Sequence, residues 1–454
     1  MSQSLQRRDW EKDFYKNGYP NEVIVIEDTP PLEVVTRKRN REEEDLLLLS
    51  NNDSAIKKHK WKDLPALHPP PSHASLNQKN IFSFHLYPTT ATTATVTNHH
   101  HGNDNNNNNN NNNSNNNTEP YDDINGHYVI RPNESLTPQY KIMRLLGQGT
   151  FGKVVECYDR VRRTYCAIKI IRAIPKYRDA SKIEIRVLNA LKQHDPLNLN
   201  KCIHLVEWFD HKNHICMVFE LLGQSVFDFL KANQFKPFPN HQIQQLGKQL
   251  LTSVAFLHDL KLVHTDLKPE NILLVNNQSY DDNLLESTDI RLIDFGSATF
   301  EKDYHSSVVS TRHYRAPEII LSIGWSYPCD IWSVGCILVE FFTGDALFQT
   351  HDNLEHLAMM ESILGPFPPN MISSASRDVQ KWFKNNRLKF PTSKTVQQRK
   401  KYVNSLKPLK DIIPPTSSHN IYLLDLLKKM LVYEPSHRIS AREALRHPFF
   451  HSNV

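Results

Sequence analysis

The pattern of apolar and polar positions predicts strands in the first part of the folded chain and helices after them. β-Branched and aromatic residues surround a glycine-bearing turn in KIMRLLGQGTFGKVVECYD and RRTYCAIKII, which predicts strands. Apolar residues then recur at helical spacing in KYRDASKIEIRVLNAL and in the segment after Pro239-Asn240. The segment CDIWSVGCILVEFFTG is apolar nearly all round, as in a helix buried inside a lobe. This order predicts an α+β fold with a small β-rich lobe and a larger helical lobe.

The composition changes sharply near residue 127. In the stretch before it, 13 of the 15 residues from 103 to 117 are Asn. Such a tract has no apolar groups to bury, so ordering it would cost conformational entropy without return. We therefore predict that residues 1–127 form a largely disordered tail, that 128–220 form the small lobe with its lead-in, and that 221–454 form the larger lobe.

Charge and cysteine usage exclude few classes of protein. The chain has 54 basic and 49 acidic residues, and its net charge of +5 does not by itself indicate nucleic-acid binding. The six cysteines form no CxxC pair, which favours free, packed thiols over a disulfide framework. The sequence has no long apolar run and its first residues are charged, which predicts a soluble, intracellular protein without a membrane partner.

The glycine-bearing turn fits the pattern GxGxxGxV, in which glycines let the backbone fold tightly over phosphates. An ordinary hairpin turn is the alternative interpretation. Lys169, at the end of the next apolar strand, lies where phosphates need a cation, and Glu184 on the following helix can pair with it. The residues assigned here to nucleotide binding are Gly147, Gln148, Gly149, Thr150, Phe151, Gly152, Val154, Ala167, Lys169 and Glu184.

The strongest signal is His264-Thr-Asp-Leu-Lys-Pro-Glu-Asn271, followed by Asp294-Phe-Gly296. Its Asp and Asn have the spacing of the kinase catalytic loop HRDxxxxN. Asp266 is assigned to accept the proton of a substrate hydroxyl, and Lys268 to neutralise the phosphoryl group in flight. Asn271 and Asp294 are assigned to Mg²⁺. Together these motifs predict phosphoryl transfer from Mg·ATP.

Further residues are predicted to support this site. Glu318 of the sequence APE is expected to pair with Arg438, and Asp330 to anchor the backbone of the catalytic loop. The adenine pocket is predicted to contain Phe219, Glu220 and Leu222. Glu270 is a candidate for contacting the substrate. Four acids could extend an acidic surface beside it or belong to a solvated loop: Asp281, Asp282, Glu286 and Asp289.

The segment EHLAMME at 355–361 resembles the signature of the LAMMER (Cdc-like) kinases, as do DFGSATF, STRHYRAPE and GWSYPCDIWSVGCILVE. The resemblance spans roughly 136–451. It implies the bilobal protein kinase fold and dual specificity, with Ser/Thr protein substrates and autophosphorylation on Tyr. It further implies Arg/Ser-rich splicing factors as partners, a role in RNA splicing, and a nuclear location, alone or together with the cytoplasm. One departure is Ser362, which stands where the family usually has Arg.

Two other classes of function remain as alternatives. A pseudokinase scaffold would be expected to lack Lys169, Asp266 or Asp294, and the sequence retains all three. The Asn-rich tail and the basic patches at 37–41 and 57–62 suggest a nucleic-acid or condensate-forming protein. Such patches more often serve as nuclear import signals or solvated charge, so no specific nucleic-acid partner is predicted. The sequence gives no oligomeric state.

Overall fold

A computed structural model describes residues 120–276, 284–393 and 395–452, together with the backbone of three short strands. Two of these strands, Tyr15–Lys16 and Tyr19–Pro20, pair with each other in antiparallel fashion. The third is Ser279–Asp281. The rest of residues 1–119, including both basic patches, lies outside the described residues, as do Asp282 and the side chain of Asp281.

The small lobe is a five-stranded antiparallel sheet with one long helix. Its strands are β1 (Tyr140–Gln148), β2 (Gly152–Asp159), β3 (Thr164–Ile171), β4 (Leu205–His211) and β5 (His214–Glu220), and their spatial order is β1-β2-β3-β5-β4. Helix α1 (Pro175–His194) follows β3. Alternate residues of the strands, among them Ile142, Val155 and Ile168, are fully buried in one apolar cluster. The predicted strands and helix of this lobe are confirmed.

Residues 121–127 correct the predicted boundary of the tail, because they are folded onto the small lobe. Asp122 forms a β-bridge with Tyr128, and the amide of Val129 donates to the carbonyl of Tyr121 at 2.8 Å. The contacts of this segment are largely polar, and its large apolar residues Tyr121 and Ile124 are exposed, so an apolar pattern did not reveal it. The folded part of the chain therefore begins before residue 128.

The larger lobe is mainly helical. Its helices are α2 (Val226–Ala232), α3 (Asn240–Asp259), α4 (Pro317–Ile320), α5 (Pro328–Thr343), α6 (Asn353–Leu364), α7 (Pro369–Ser374), α8 (Arg377–Gln380), α9 (Gln397–Ser405), α10 (Leu409–Ile412), α11 (Ser418–Met430) and α12 (Ala441–Leu445). Its short strands are β6 (Leu262–Val263), β7 (Ile272–Leu274), β8 (Ser279–Asp281), β9 (Leu284–Leu285), β10 (Ile290–Leu292), β11 (Thr299–Phe300), β12 (Phe383–Lys384) and β13 (Arg387–Leu388). The pairs β6–β11 and β7–β10 flank the catalytic loop.

Helix α5 is buried over nearly its whole length, as its uniformly apolar sequence predicts. Helices α3 and α11 pack against it. The predicted pair of Glu318 and Arg438 is present, with Nη1 and Oε1 2.7 Å apart and both side chains fully buried. All six cysteines are buried with free thiols, as predicted. Among the described residues, no helix has both the length and the apolar character needed to cross a membrane.

Candidate active site

The glycine-bearing turn connects β1 and β2, and the amide of Gly149 closes it by donating to the carbonyl of Gly152 at 2.9 Å. Gly152 must be a glycine, because a Cβ there would lie 2.1 Å from the carbonyl oxygen of Ile170 on the neighbouring strand. At Gly149 a Cβ would meet no atom within 4 Å, so this part of the turn borders open space. The turn therefore combines a tightly packed base with an open side that a phosphate can approach.

Lys169 lies on β3, and its ammonium group contacts two carboxylates. Its Nζ is 2.7 and 3.0 Å from the two oxygens of Glu184 on α1, and 3.4 Å from Oδ1 of Asp294. Burial opposes the charge of Lys169, but the charges of Glu184 and Asp294 outweigh it and raise the pKa of the lysine. The ammonium group is thus held in its charged form between the two lobes.

Asp294 begins the Asp-Phe-Gly motif in a left-handed backbone conformation, with φ of 61°. Its side chain remains 42% exposed, whereas the adjacent Phe295 is buried with its ring edge against His264, at a centroid distance of 5.2 Å. Such a backbone conformation is unfavourable for a non-glycine residue and is concentrated at functional sites. The buried phenylalanine holds the turn while the carboxylate points toward solvent and Lys169.

Asp330 of α5 fixes the catalytic loop from below. Its two carboxylate oxygens accept hydrogen bonds from the backbone amides of His264 and Thr265, each at 2.9 Å. Thr265 has a positive φ of 69°, so its amide would be poorly placed for the backbone hydrogen bonds of a regular helix or strand. The predicted anchoring role of Asp330 therefore corresponds to two hydrogen bonds, and both amides are buried.

Asp266 lies at the centre of a network of charged and hydroxyl groups. Its Oδ2 accepts from Nζ of Lys268 at 2.6 Å, and its Oδ1 accepts from the hydroxyl and the amide of Thr311 at 2.6 and 2.9 Å. Burial favours the neutral acid, but Lys268 and the Thr311 hydrogen bonds outweigh burial and lower the pKa of Asp266. Asp266 is therefore ionised and can accept a proton.

Asn271 follows in the same loop. Its amide nitrogen donates to the carbonyl oxygen of Asp266 at 2.9 Å, which directs the side-chain oxygen away from the loop backbone. Asn271 and Asp294 thus offer an amide oxygen and an exposed carboxylate, the hard donors that Mg²⁺ prefers. In the described part of the chain, no three His, Cys, Asp or Glu side chains form a metal-binding cluster. Because Mg²⁺ is commonly held by one or two protein oxygens plus substrate phosphates, this donor set fits the ion.

The residues predicted to surround the adenine lie where β5 leaves the small lobe. Phe219 is buried opposite Ala167 of β3, while Glu220 is exposed and pairs with Arg291, with Oε1 and Nε 3.3 Å apart. Leu222 is half-buried in the connection that follows. This connection is held to the larger lobe by the amide of Gly223, which donates to the carbonyl of Leu274 at 2.8 Å.

Thr311 is a partner of Asp266 that sequence reasoning missed. Its hydroxyl also accepts a hydrogen bond from Nζ of Lys268 at 3.1 Å. A hydroxyl residue shortly before the sequence APE is the signal that could have identified it.

Of the four acids of the predicted acidic surface, Asp289 pairs with Lys201, with Oδ1 and Nζ 3.4 Å apart.

The chain is similar to known proteins over about 72–73% of its length. The protein kinase domain family matches residues 140–450. Dual specificity protein kinase lkh1 of Schizosaccharomyces pombe is 58% identical over 340 residues, which cover 73% of this chain and 49% of that protein, so the match spans about half of that relative. Serine/threonine-protein kinase AFC1 of Arabidopsis thaliana is 51% identical over 348 residues, covering 72% and 74% of the two chains.

Dual specificity protein kinase CLK2 of Homo sapiens is 47% identical over 340 residues, covering 72% of this chain and 67% of that protein. A crystal structure of a kinase domain superimposes with a TM-score of 0.66 and 36% identity, covering 72% of this chain and all of that one. Fold, site and relatives define a protein kinase. Within that class, the chain belongs to the LAMMER, or Cdc-like, dual-specificity protein kinases.

Proposed function

We propose that this kinase transfers the γ-phosphate of Mg·ATP to serine and threonine hydroxyls of proteins, and to its own tyrosines by autophosphorylation. The observation that carries the proposal is the ionised carboxylate of Asp266. It already accepts a hydrogen bond from the hydroxyl of Thr311, and the ammonium group of Lys268 lies beside it. A substrate hydroxyl at the same carboxylate would give its proton to Asp266 as its oxygen bonds to the γ-phosphorus, while the bond from this phosphorus to the bridging oxygen breaks and ADP leaves.

The other residues of the site act by position and charge. The amides of the glycine-bearing turn would approach the phosphates, and Lys169, oriented by Glu184, would contact them with its ammonium group. Mg²⁺, held by Asn271 and Asp294, would supply positive charge against the phosphate oxygens. Lys268 would offset the negative charge of the phosphoryl group as it moves toward the attacking oxygen.

We further infer that the preferred substrates are rich in arginine and serine, as in splicing factors. Glu270 supports this inference, because its Oε2 is buried without a hydrogen-bond partner four positions after Asp266. Burial raises the pKa of Glu270, and a backbone hydrogen bond and the charge of Lys268 offset this effect only in part, because the charges of Asp266 and Asp228 also raise it. A buried carboxyl with an unused oxygen is stabilised by a cation, and a guanidinium forms bidentate bonds with a carboxylate.

The test compares kcat/KM for an Arg-Ser repeat peptide with its Lys-Ser and Ala-Ser counterparts at low and high salt. We expect the Arg-Ser peptide to be preferred. The share of the preference that comes from the exposed acids of the predicted acidic surface should weaken with salt, since exposed charges are screened within about 8 Å at physiological ionic strength, whereas the share from the buried oxygen of Glu270 should persist. Glu270→Gln should reduce the preference about tenfold, the value of one charge-assisted hydrogen bond. Asp411→Asn, at an exposed acid of α10 that does not belong to this surface, is the matched control. Equal values for the three peptides would contradict the inference.

We also propose a nuclear location, directed by the basic patches at 37–41 and 57–62. Clusters of five or six residues rich in Lys and Arg are typical of import signals. The test replaces the basic residues of both patches with Ala and follows the protein in cells by microscopy. Unchanged localisation of the variant would contradict this role, and the kinase activity of the purified variant serves as the control.

A further inference from the structure

The segment 121–128, here called the N-terminal strap, forms a tight turn against the small lobe. The amide of Asp123 donates to the carbonyl of His127, and the amide of Gly126 donates to the carbonyl of Asp123, both at 2.9 Å. Gly126 has a φ of +73°, which a glycine adopts without strain. The strap therefore has a defined conformation of its own, although it precedes the matched kinase domain at 140–450.

Two acids at the start of the strap attach it to the sheet. The carboxylate of Asp122 lies 2.7 Å from Nε2 of His214, a fully buried residue whose Nδ1 is 2.6 Å from the carbonyl oxygen of Ile171. Asp123 pairs with Lys153, with Oδ2 and Nζ 3.4 Å apart, and the same Nζ donates to the carbonyl of Tyr128 at 3.0 Å. Lys153 directly follows Gly152, so these contacts reach the base of the glycine-bearing turn.

Arg172 joins the strap to the tip of that turn. Its Nε donates to the carbonyl of Asn125 at 2.8 Å, and its Nη1 donates to the carbonyl of Thr150 at 3.1 Å. The backbone amide of Arg172 donates to the carbonyl of Phe151 at 2.9 Å. The next amide, that of Ala173, donates to the carbonyl of Gly126 at 2.9 Å. One guanidinium group thus binds a carbonyl of the strap and a carbonyl of the turn at the same time.

Arg172 also reaches α1, the helix that carries Glu184. Its guanidinium carbon lies 4.9 Å from the ring centroid of Tyr177, and this ring makes an edge contact with Phe151 at 5.5 Å. Strap, turn and helix therefore meet at a single side chain. An arginine can serve three such partners because it presents five donors in a rigid plane, which a lysine lacks.

We propose that Arg172 is a positioning residue for ATP binding, and that the N-terminal strap, acting through it, holds the glycine-bearing turn in its binding conformation. A turn with three glycines in six residues has many accessible conformations, and fixing one of them costs entropy when a ligand binds. A strap that already holds the tip at Thr150 and Phe151 reduces that cost, so ATP binds more tightly. This inference rests on the use of ATP proposed above.

The experiment measures KM for ATP, kcat at saturating ATP and, by calorimetry, the Kd of Mg·ATP for full-length variants. Arg172→Ala should raise KM and Kd about tenfold, as expected for the loss of one or two hydrogen bonds. The pair Asp122→Ala and Asp123→Ala, which loosens the strap and leaves Arg172 in place, should do the same. In both variants kcat should stay within about twofold of wild type, and Arg172→Lys should recover part of the affinity.

The matched control is Arg160→Ala. Like Arg172, Arg160 donates to a backbone carbonyl that precedes β1, in this case the carbonyl of Pro138 at 2.8 Å. Arg160 lies at the end of β2 that is farther from the glycine-bearing turn. Its KM for ATP should be unchanged. Combining Arg172→Ala with the Asp122 and Asp123 replacements should have no more effect than either change alone, since both break one connection. Unchanged Kd in the strap variants, additive effects, or an equal effect of Arg160→Ala would overturn the proposal. Because Kd is measured without turnover, a failure of phosphoryl transfer itself would be recognised separately.

Discussion

Asp266 is a half-buried and Glu340 a buried carboxyl group of the larger lobe, and their pKa values shift in opposite directions. Asp266 has Lys268 and Thr311 as partners, which outweigh burial and keep it ionised. Glu340 accepts a hydrogen bond from the neutral hydroxyl of Tyr314 at 2.7 Å, and burial raises its pKa to about 8. The cationic partner decides the outcome, and it is placed at the carboxylate that has to accept a proton.

The raised pKa of Glu340 predicts a pH dependence of stability. In the unfolded chain this acid titrates near its ordinary value of 4.5 and in the folded chain near about 8, so unfolding between these values releases a proton. The free energy of unfolding of wild type should therefore fall, relative to Glu340→Gln, as pH rises from about 5 to about 8, by up to ~1.4 kcal/mol per pH unit. Denaturant unfolding of both proteins across this range measures it, and parallel curves would contradict it.

At the scale of elements, the activation segment between Asp294 and Glu318 is held by contacts that need no phosphate. The hydroxyl of Thr265, in place of the arginine of HRD, donates to the carbonyl of Ser297 at 2.9 Å. Further on, Nε1 of Trp325 donates to the carbonyl of Ser306 at 2.7 Å, and Arg315 donates to that of Ser310 at 2.7 Å.

We therefore predict that kinase activity does not require phosphorylation of this segment. A neutral threonine at position 265 cannot replace the arginine that binds a phosphorylated residue in many kinases. The donors of Thr265, Arg315 and Trp325 are already bound to backbone carbonyls of the segment. The measurement treats purified kinase with phosphatase and follows peptide phosphorylation before autophosphorylation can occur, with mock-treated enzyme as the control. A loss of activity by orders of magnitude would contradict the prediction.

What the sequence could predict follows from the kind of contact involved. Helices α1, α3 and α5 have apolar residues at helical spacing, and this pattern indicates burial whatever the tertiary context. The pair of Lys169 and Glu184 could be predicted because both belong to motifs with fixed spacing. The strap could not, because Arg172 binds backbone carbonyls, which every residue type supplies. For Thr311 the sequence offers a weak signal, a hydroxyl residue shortly before APE, which does not by itself point to Asp266 as its partner.

At the scale of the whole molecule, the position at which the folded chain begins predicts different effects for two N-terminal deletions. A chain lacking residues 1–119 keeps the strap, and we expect its peptide kcat/KM to stay within about twofold of the full chain, because the removed composition offers no apolar core to support the site. A chain lacking 1–128 loses Asp122, Asp123 and the carbonyl of Asn125, and its KM for ATP should rise as in the strap variants. Steady-state kinetics of both deletions give the answer, and identical KM values would contradict the boundary.

The central claim is that Asp266 and Asp294 perform phosphoryl transfer, and the most direct test is the initial rate of ³²P transfer from ATP to an Arg-Ser peptide at saturating Mg²⁺. Asp266→Asn should reduce kcat by about 10²–10⁴, the usual value of a positioned base, and Asp294→Ala by at least as much. Thermal unfolding should show both variants folded, and Asp259→Asn, at an exposed partner of Arg442, should retain the wild-type rate. Retention of more than about a tenth of wild-type turnover by either variant would contradict the account.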